Sequence, residues 1–176
     1  VQTTPMHYSP ALSDMTGARV YLKCEHLQIT GSFKLRGATN KILSLSSEGA
    51  RKGIITASSG NHGMGVAVSA QTSGVSATVY VPANASEMKV NTIQQLGAEV
   101  ISVEGDCLAG ELEAGRQSDL TGKPFISPYN DPEIIAGQGT AGLEILEQLP
   151  QVDAVFVSVG GGGLISGIGS YLKQKH

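Results

Sequence analysis

Cysteine is scarce in this sequence. Only Cys24 and Cys107 occur among 176 residues, far apart, which fits neither a zinc spacing nor a disulfide framework. No signal-like segment opens the chain, so a reducing cytoplasm is the expected setting. Positive charge is thin as well. The 12 lysines and arginines face 15 acidic residues, leave a formal net charge of -3, and are scattered along the chain. They form no stripe for a phosphate backbone, and nucleic acid is not an expected partner. Long apolar runs are also missing. The longest are strand-sized and interrupted by Asp153, glycine or serine, well short of the roughly 18 residues a membrane span requires. The chain is expected to be soluble.

Glycine, by contrast, is plentiful. The 23 glycines are nearly twice the usual share of about 7%, and many are clustered. Between the clusters, short β-branched runs alternate with segments of helical periodicity. Strands are expected at Val20–Cys24, Ile54–Ala57, Ala77–Val81, Glu99–Val103, Phe125–Ser127 and Ala154–Val159. Helices are expected over Lys34–Ser47, His62–Thr72, Glu87–Leu96, Leu108–Leu120 and Thr140–Leu149, with a last one after Gly163. Such alternation predicts an α/β class with mostly parallel open sheets and helices on both faces.

In open α/β sheets, ligands bind beyond the carboxyl ends of the strands, on loops that lead into helices. Three of these loops are unusual: Gly31-Ser-Phe-Lys-Leu-Arg-Gly37, Ser58-Ser-Gly-Asn-His-Gly63, and the four glycines Gly160 to Gly163. One or two glycines suffice for a tight turn. Four in succession let backbone N–H groups approach an anion at a helix start, where a phosphate would fit. The Ser58–Gly63 loop offers amides and hydroxyls in the same way, suited to a carboxylate. A serine hydrolase is disfavoured, because the G-x-S-x-G elbow and an acidic orienter are absent. His62 reads more readily as a helix-terminal histidine bonded to backbone than as a general base. Most lysines are plain surface charges, but Lys34 stands at a loop-to-helix entry framed by Gly31, Phe33 and Gly37, with Arg36 close in sequence. Desolvation there would lower its pKa and make the amine reactive. Two alternatives remain beside this reading. Gly161 to Gly167 loosely matches a dinucleotide pattern, G-x-G-x-x-x-G, and a cofactor-free interaction domain is the third reading.

Taken together, the Lys34 and Ser58 loops, Ala136-Gly-Gln-Gly-Thr140 and Val159-Gly-Gly-Gly-Gly-Leu164 resemble the fold-type II pyridoxal-phosphate enzymes, in particular the threonine (serine) dehydratases and serine racemase. The motifs occur in that family's order and at similar spacing over nearly the whole chain. The resemblance implies a tryptophan synthase β-like architecture and pyridoxal 5'-phosphate as cofactor. It implies that Lys34 holds the cofactor covalently, that Phe33 packs beside its ring, that Asn61 bonds the ring's phenolic oxygen and that Gly160, Gly161, Gly162 and Gly163 cradle the phosphate. Ser58, Ser59, Asn61 and His62 would take the substrate carboxylate. The implied reaction converts a β-hydroxy amino acid such as threonine or serine to a 2-oxo acid and ammonia, with Lys34 as base. Racemization is the alternative, with Ser59 as the second proton carrier, but Gly110 falls where the racemase branch places a substrate-binding arginine.

The family's chains are about twice this length. The partner of the pyridine nitrogen and any metal site belong to the portion beyond this chain, so a fragment, weak or inactive alone, is expected. Residues 53–130 would be a smaller α/β domain, and 1–52 and 131–176 part of the larger cofactor-binding domain. A homodimer is implied for the full-length protein. No metal ligands are expected in this chain.

Overall fold

The computed structural model describes residues 1–175. Strands β3 (Ile54–Ala57), β4 (Ala77–Pro82) and β5 (Glu99–Val103) form a parallel sheet in that order, with Ile54 opposite Ala77 and Thr78 opposite Glu99. Successive side chains of a strand point to opposite faces, and each face has its own helical cover. Ile54, Val79 and Val81 pack with Val66, Ala67, Ala70 and Ile93, from α4 (Asn61–Ser73) and α5 (Glu87–Gln95). Ile55 and Tyr80 point the other way, onto Ala114 of α6 (Cys107–Thr121). Burial on both faces explains why β4 is apolar with little alternation.

Around this sheet lie α2 (Lys34–Leu43), α7 (Pro132–Gln148) and α8 (Gly163–Lys175). These helices approach one another backbone to backbone. A Cβ added at Gly137 of α7 would lie 2.6 Å from Gly37 Cα and 2.7 Å from the Arg36 carbonyl oxygen of α2. One at Gly167 of α8 would run into the Ile135 carbonyl, and one at Gly65 of α4 would sit 3.2 Å from the Lys34 carbonyl carbon. The starts of α2, α4 and α8 are thereby fixed relative to one another, and these are the three loops that the sequence singles out.

The α/β class and the parallel sheet agree with expectation, but several elements differ. The Val20–Cys24 run yields only β2 (Tyr21–Lys23), paired antiparallel with β1 (Met6–Tyr8), which has no apolar pattern of its own. Between them Ser9 caps α1 (Pro10–Thr16), whose Pro10 occupies the first turn. The expected Lys34–Ser47 helix stops at Leu43, and Ser46 caps a separate α3 (Ser47–Lys52). The α7 helix starts at Pro132 instead of near Thr140, because Asp131 accepts hydrogen bonds from the N–H groups of Glu133 and Ile134. Phe125 forms a single parallel bridge to Ile55 instead of a strand. Ala154–Val159 is not a strand here: it pairs with no neighbour among the described residues. Val155 and Val157 pack against Ala141, Ile145 and Ile168, while Phe156 is 96% exposed.

Candidate active site

Lys34 is the first residue of α2, with Phe33 at the cap position. Its side chain crosses the Phe33 ring at 5.4 Å from the centroid, within cation–π range. Nζ donates a hydrogen bond of 2.5 Å to the carbonyl oxygen of Pro128. Burial lowers the amine's pKa from its ordinary value, as the sequence suggests. Arg36 has no part in that shift. Its guanidinium binds Glu25 and Glu144 instead.

The Ser58–Gly63 loop joins β3 to α4. The Ser58 hydroxyl accepts from the Gly60 N–H at 3.1 Å, and a side chain at Gly63 would collide with the Ser58 carbonyl. Ser58 and Ser59 are half-buried and Asn61 is exposed at the helix start. His62 behaves differently from its neighbours. Its ring is buried and Nε2 donates to the Ile126 carbonyl at 3.1 Å. Desolvation, with Lys34 as a nearby positive charge, pulls its pKa down to about 4, so the ring is neutral at physiological pH. What His62 can offer to a ligand is its main-chain N–H, not its imidazole.

The tetraglycine loop runs directly into α8. Gly162 has φ of +84°, a left-handed conformation that glycine adopts without steric cost. Gly161 and Gly163 lie against Tyr129: a Cβ at the first would enter the ring, and one at the second would be 3.0 Å from the Tyr129 carbonyl oxygen. Gly160 and Gly161 are exposed, and among the described residues no hydrogen bond uses the N–H of Gly160, Gly161 or Gly162. Pro128 takes the Lys34 amine and Tyr129 takes the glycines, so one turn, Ser127–Asn130, touches both. The Ser127 hydroxyl holds that turn by accepting from the N–H groups of Tyr129 and Asn130.

Residues 1–176 match the family described as pyridoxal-phosphate dependent enzyme. The chain belongs to the pyridoxal-phosphate dependent enzyme family. It is 51% identical over its full length to an L-threonine ammonia-lyase of Thermotoga maritima, covering 44% of that protein. It is 43% identical to a serine racemase of Arabidopsis thaliana, over 99% of this chain and 53% of the relative. The solved structure of the processed form of threonine deaminase isoform 2 from Solanum lycopersicum superposes with a TM-score of 0.96 at 40% identity, over 99% of this chain and 51% of that one. The chain thus spans about half the length of the relatives it matches.

The local geometry fits this family's cofactor. A part-buried primary amine with an aromatic ring beside it, and a bare-backbone loop at a helix start, meet the same short turn, the amine at Pro128 and the loop at Tyr129. Sequence reasoning missed Pro128 and Tyr129. The Ser-Pro-Tyr-Asn run reads as a turn, and nothing in it signals that a main-chain oxygen would receive the lysine. The buried partners of Arg36 were also missed, since ion pairs between distant residues leave no local pattern. Among the described residues no cluster of His, Cys, Asp or Glu could hold a metal ion, and no helix is long and apolar enough to cross a membrane. A groove of about 540 Å³ between α7 and α8 lies apart from Lys34, lined by Ile135, Leu143 and Tyr171 among others.

Proposed function

We propose that the full-length protein is a pyridoxal-phosphate-dependent ammonia-lyase that converts threonine, or a related β-hydroxy amino acid, to a 2-oxo acid and ammonia. The observation that carries this reading is the desolvated Lys34 amine, held on the same turn that packs against Gly161 and Gly163. Similarity to threonine ammonia-lyases supports the choice of substrate.

Lys34 would bond the cofactor, Phe33 would flank its ring, Asn61 would hydrogen-bond its phenolic oxygen and the amides of Gly160 to Gly163 would surround its phosphate at the positive end of α8. When bound, the cofactor supplies an electron sink that makes the substrate's Cα proton removable. The main-chain N–H groups at the start of α4, with the Ser58 and Ser59 hydroxyls, hold the substrate carboxylate and turn the Cα–H bond toward Lys34. The Lys34 amine, released when the substrate's amino group takes its place, accepts that proton at Nζ. Burial keeps a larger share of this amine neutral near pH 7 than in a solvated lysine, as a base requires. The substrate loses its Cα proton to Lys34 and its β-hydroxyl takes up a proton and leaves as water; a water molecule then releases the nitrogen as ammonia and the carbon chain as the 2-oxo acid.

The serine racemase relatives support a second outcome, in which Ser59 returns a proton to Cα. Gly110 favours the lyase, since it has no side chain to contribute to a substrate. We also propose a cytoplasmic homodimer for the whole protein, with residues 53–130 as its smaller domain.

The test uses the full-length protein. A visible absorption band on cofactor addition, abolished by borohydride with the adduct mapped to Lys34, is the expected result, together with 2-oxo acid release from threonine. An adduct at another lysine sinks the reading. Interconversion of serine enantiomers without 2-oxo acid release replaces it with the racemase.

A further inference from the structure

The charged residue closest to Lys34 in sequence, Arg36, has no task in the proposed chemistry. It is 2% exposed and is the largest of the fully buried side chains. Its Nε and Nη2 donate to the two carboxylate oxygens of Glu25 at 2.7 and 2.8 Å. Nη1 and Nη2 donate to the two oxygens of Glu144 at 2.7 and 2.8 Å. Nη1 also reaches the Thr140 hydroxyl at 3.0 Å. Lys23 Nζ donates to Glu144 at 2.5 Å, and the Thr4 N–H and hydroxyl donate to Glu144 and Glu25. Two cations therefore face two carboxylates, and every carboxylate oxygen is occupied.

A cluster of this kind is not explained by stability. A buried ion pair is commonly no more stabilising than apolar side chains of the same volume, because desolvation offsets the attraction. What it does supply is direction. The planar guanidinium accepts only a narrow set of geometries when it bonds two carboxylates at once. Those carboxylates come from the turn at Glu25–Leu27 and from α7, so the fork ties α2 to both. Residues 34 and 36 lie roughly 200° apart around a helix. Holding Arg36 against α7 and the Glu25 turn aims Lys34 toward the opposite side of α2. The far end of the same arrangement is the hydrogen bond from Lys34 to Pro128, four residues before α7 begins.

We propose that Arg36, clamped by Glu25 and Glu144, is a positioning residue that sets the rotation of α2 and thereby aims the Lys34 amine at the turn bearing Pro128 and Tyr129. This inference rests on Lys34 being the reactive amine of the site. It adds that the aim of that amine is set from the opposite face of its helix.

The test compares Arg36→Lys and Glu25→Gln in the full-length protein. Arg36→Lys keeps the charge and loses the two parallel bonds to each carboxylate. Glu25→Gln keeps the pair with Glu144 and serves if the first variant does not fold. In the cofactor-free protein, lysines labelled by reductive ¹³C-methylation are titrated by NMR. The Lys34 signal is expected to titrate about half a pH unit or more higher in Arg36→Lys, as the amine leaves its buried seat. In the loaded enzyme kcat is expected to fall about tenfold or more with KM within about twofold, the split that misplacement of a reacting group produces. Glu25→Gln should give smaller changes of the same sign. Lower thermal stability in both variants, with Lys34 titration and kcat at wild-type values, makes the cluster purely structural and overturns the inference. If the wild type forms no adduct at Lys34, the proposed function falls, and the titration still decides whether Arg36 aims the amine.

Discussion

Glycine serves two ends in this molecule, and the two sets behave as different residues. On α2, α4, α7 and α8, Gly37, Gly65, Gly137 and Gly167 are buried where helices touch through their main chains, and an added methyl group would strike backbone that cannot move aside. In the loop before α8, Gly160 and Gly161 are exposed and Gly162 is half-buried, and their amides are not used by the described hydrogen bonds. The first set lets helices meet main chain to main chain, while the second leaves bare amides at a helix start. The count of 23 glycines does not separate the two sets. Only their surroundings do.

Four substitutions sharpen the contrast. Gly137→Ala should cost the most, about 3 kcal/mol at the upper end of overpacking losses, because the new Cβ would sit 2.6 Å from Gly37 Cα. Denaturant unfolding of the full-length protein measures it, and an unchanged midpoint would break the comparison. Gly162→Ala should cost less, roughly 1–2 kcal/mol from placing a side-chain-bearing residue in left-handed backbone. Its signature is distinct: cofactor affinity, read by titration of the absorption band, should fall about tenfold while the shared packing of α7 on α8 is retained. Gly161→Ala should lower affinity to a lesser degree, since Tyr129 is a third exposed and its ring can swing away. Gly115→Ala should reverse the sign. This glycine is in the middle of α6 with no atom within 4 Å of an added Cβ, so replacing it should stabilise by about 0.5–1 kcal/mol through helix propensity.

Much of this was legible in the sequence. The α4, α5 and α6 helices lie within a residue or so of their expected bounds, because each is bracketed by glycine or a polar capping residue. The three glycine- or serine-rich loops were visible for the same reason. The failures have a common cause in partners distant along the chain. Ile54–Ala57 and Ala154–Val159 look alike as apolar β-branched runs, yet only the first has neighbours to complete its ladder. A strand is a property of a pair, and a single run cannot reveal whether its mate is present. Closeness in sequence suggests that Arg36 is a neighbour of Lys34. The helix puts them on opposite faces, and the true partners of Arg36 are 11 and 108 residues away. The start of α7 differs in kind: Asp131-Pro132, which reads as a boundary between lobes, carries a cap and a first-turn proline and begins a helix.

The seat of the Lys34 amine is an oxygen of the main chain. Whatever residue replaces Pro128, that acceptor persists, so genetic change at this position can alter the contour of the turn but cannot erase the docking point. The lysine is therefore parked on the part of the polypeptide that substitution at 128 does not reach, and it comes loose only when the Ser127–Asn130 bend or α2 itself shifts.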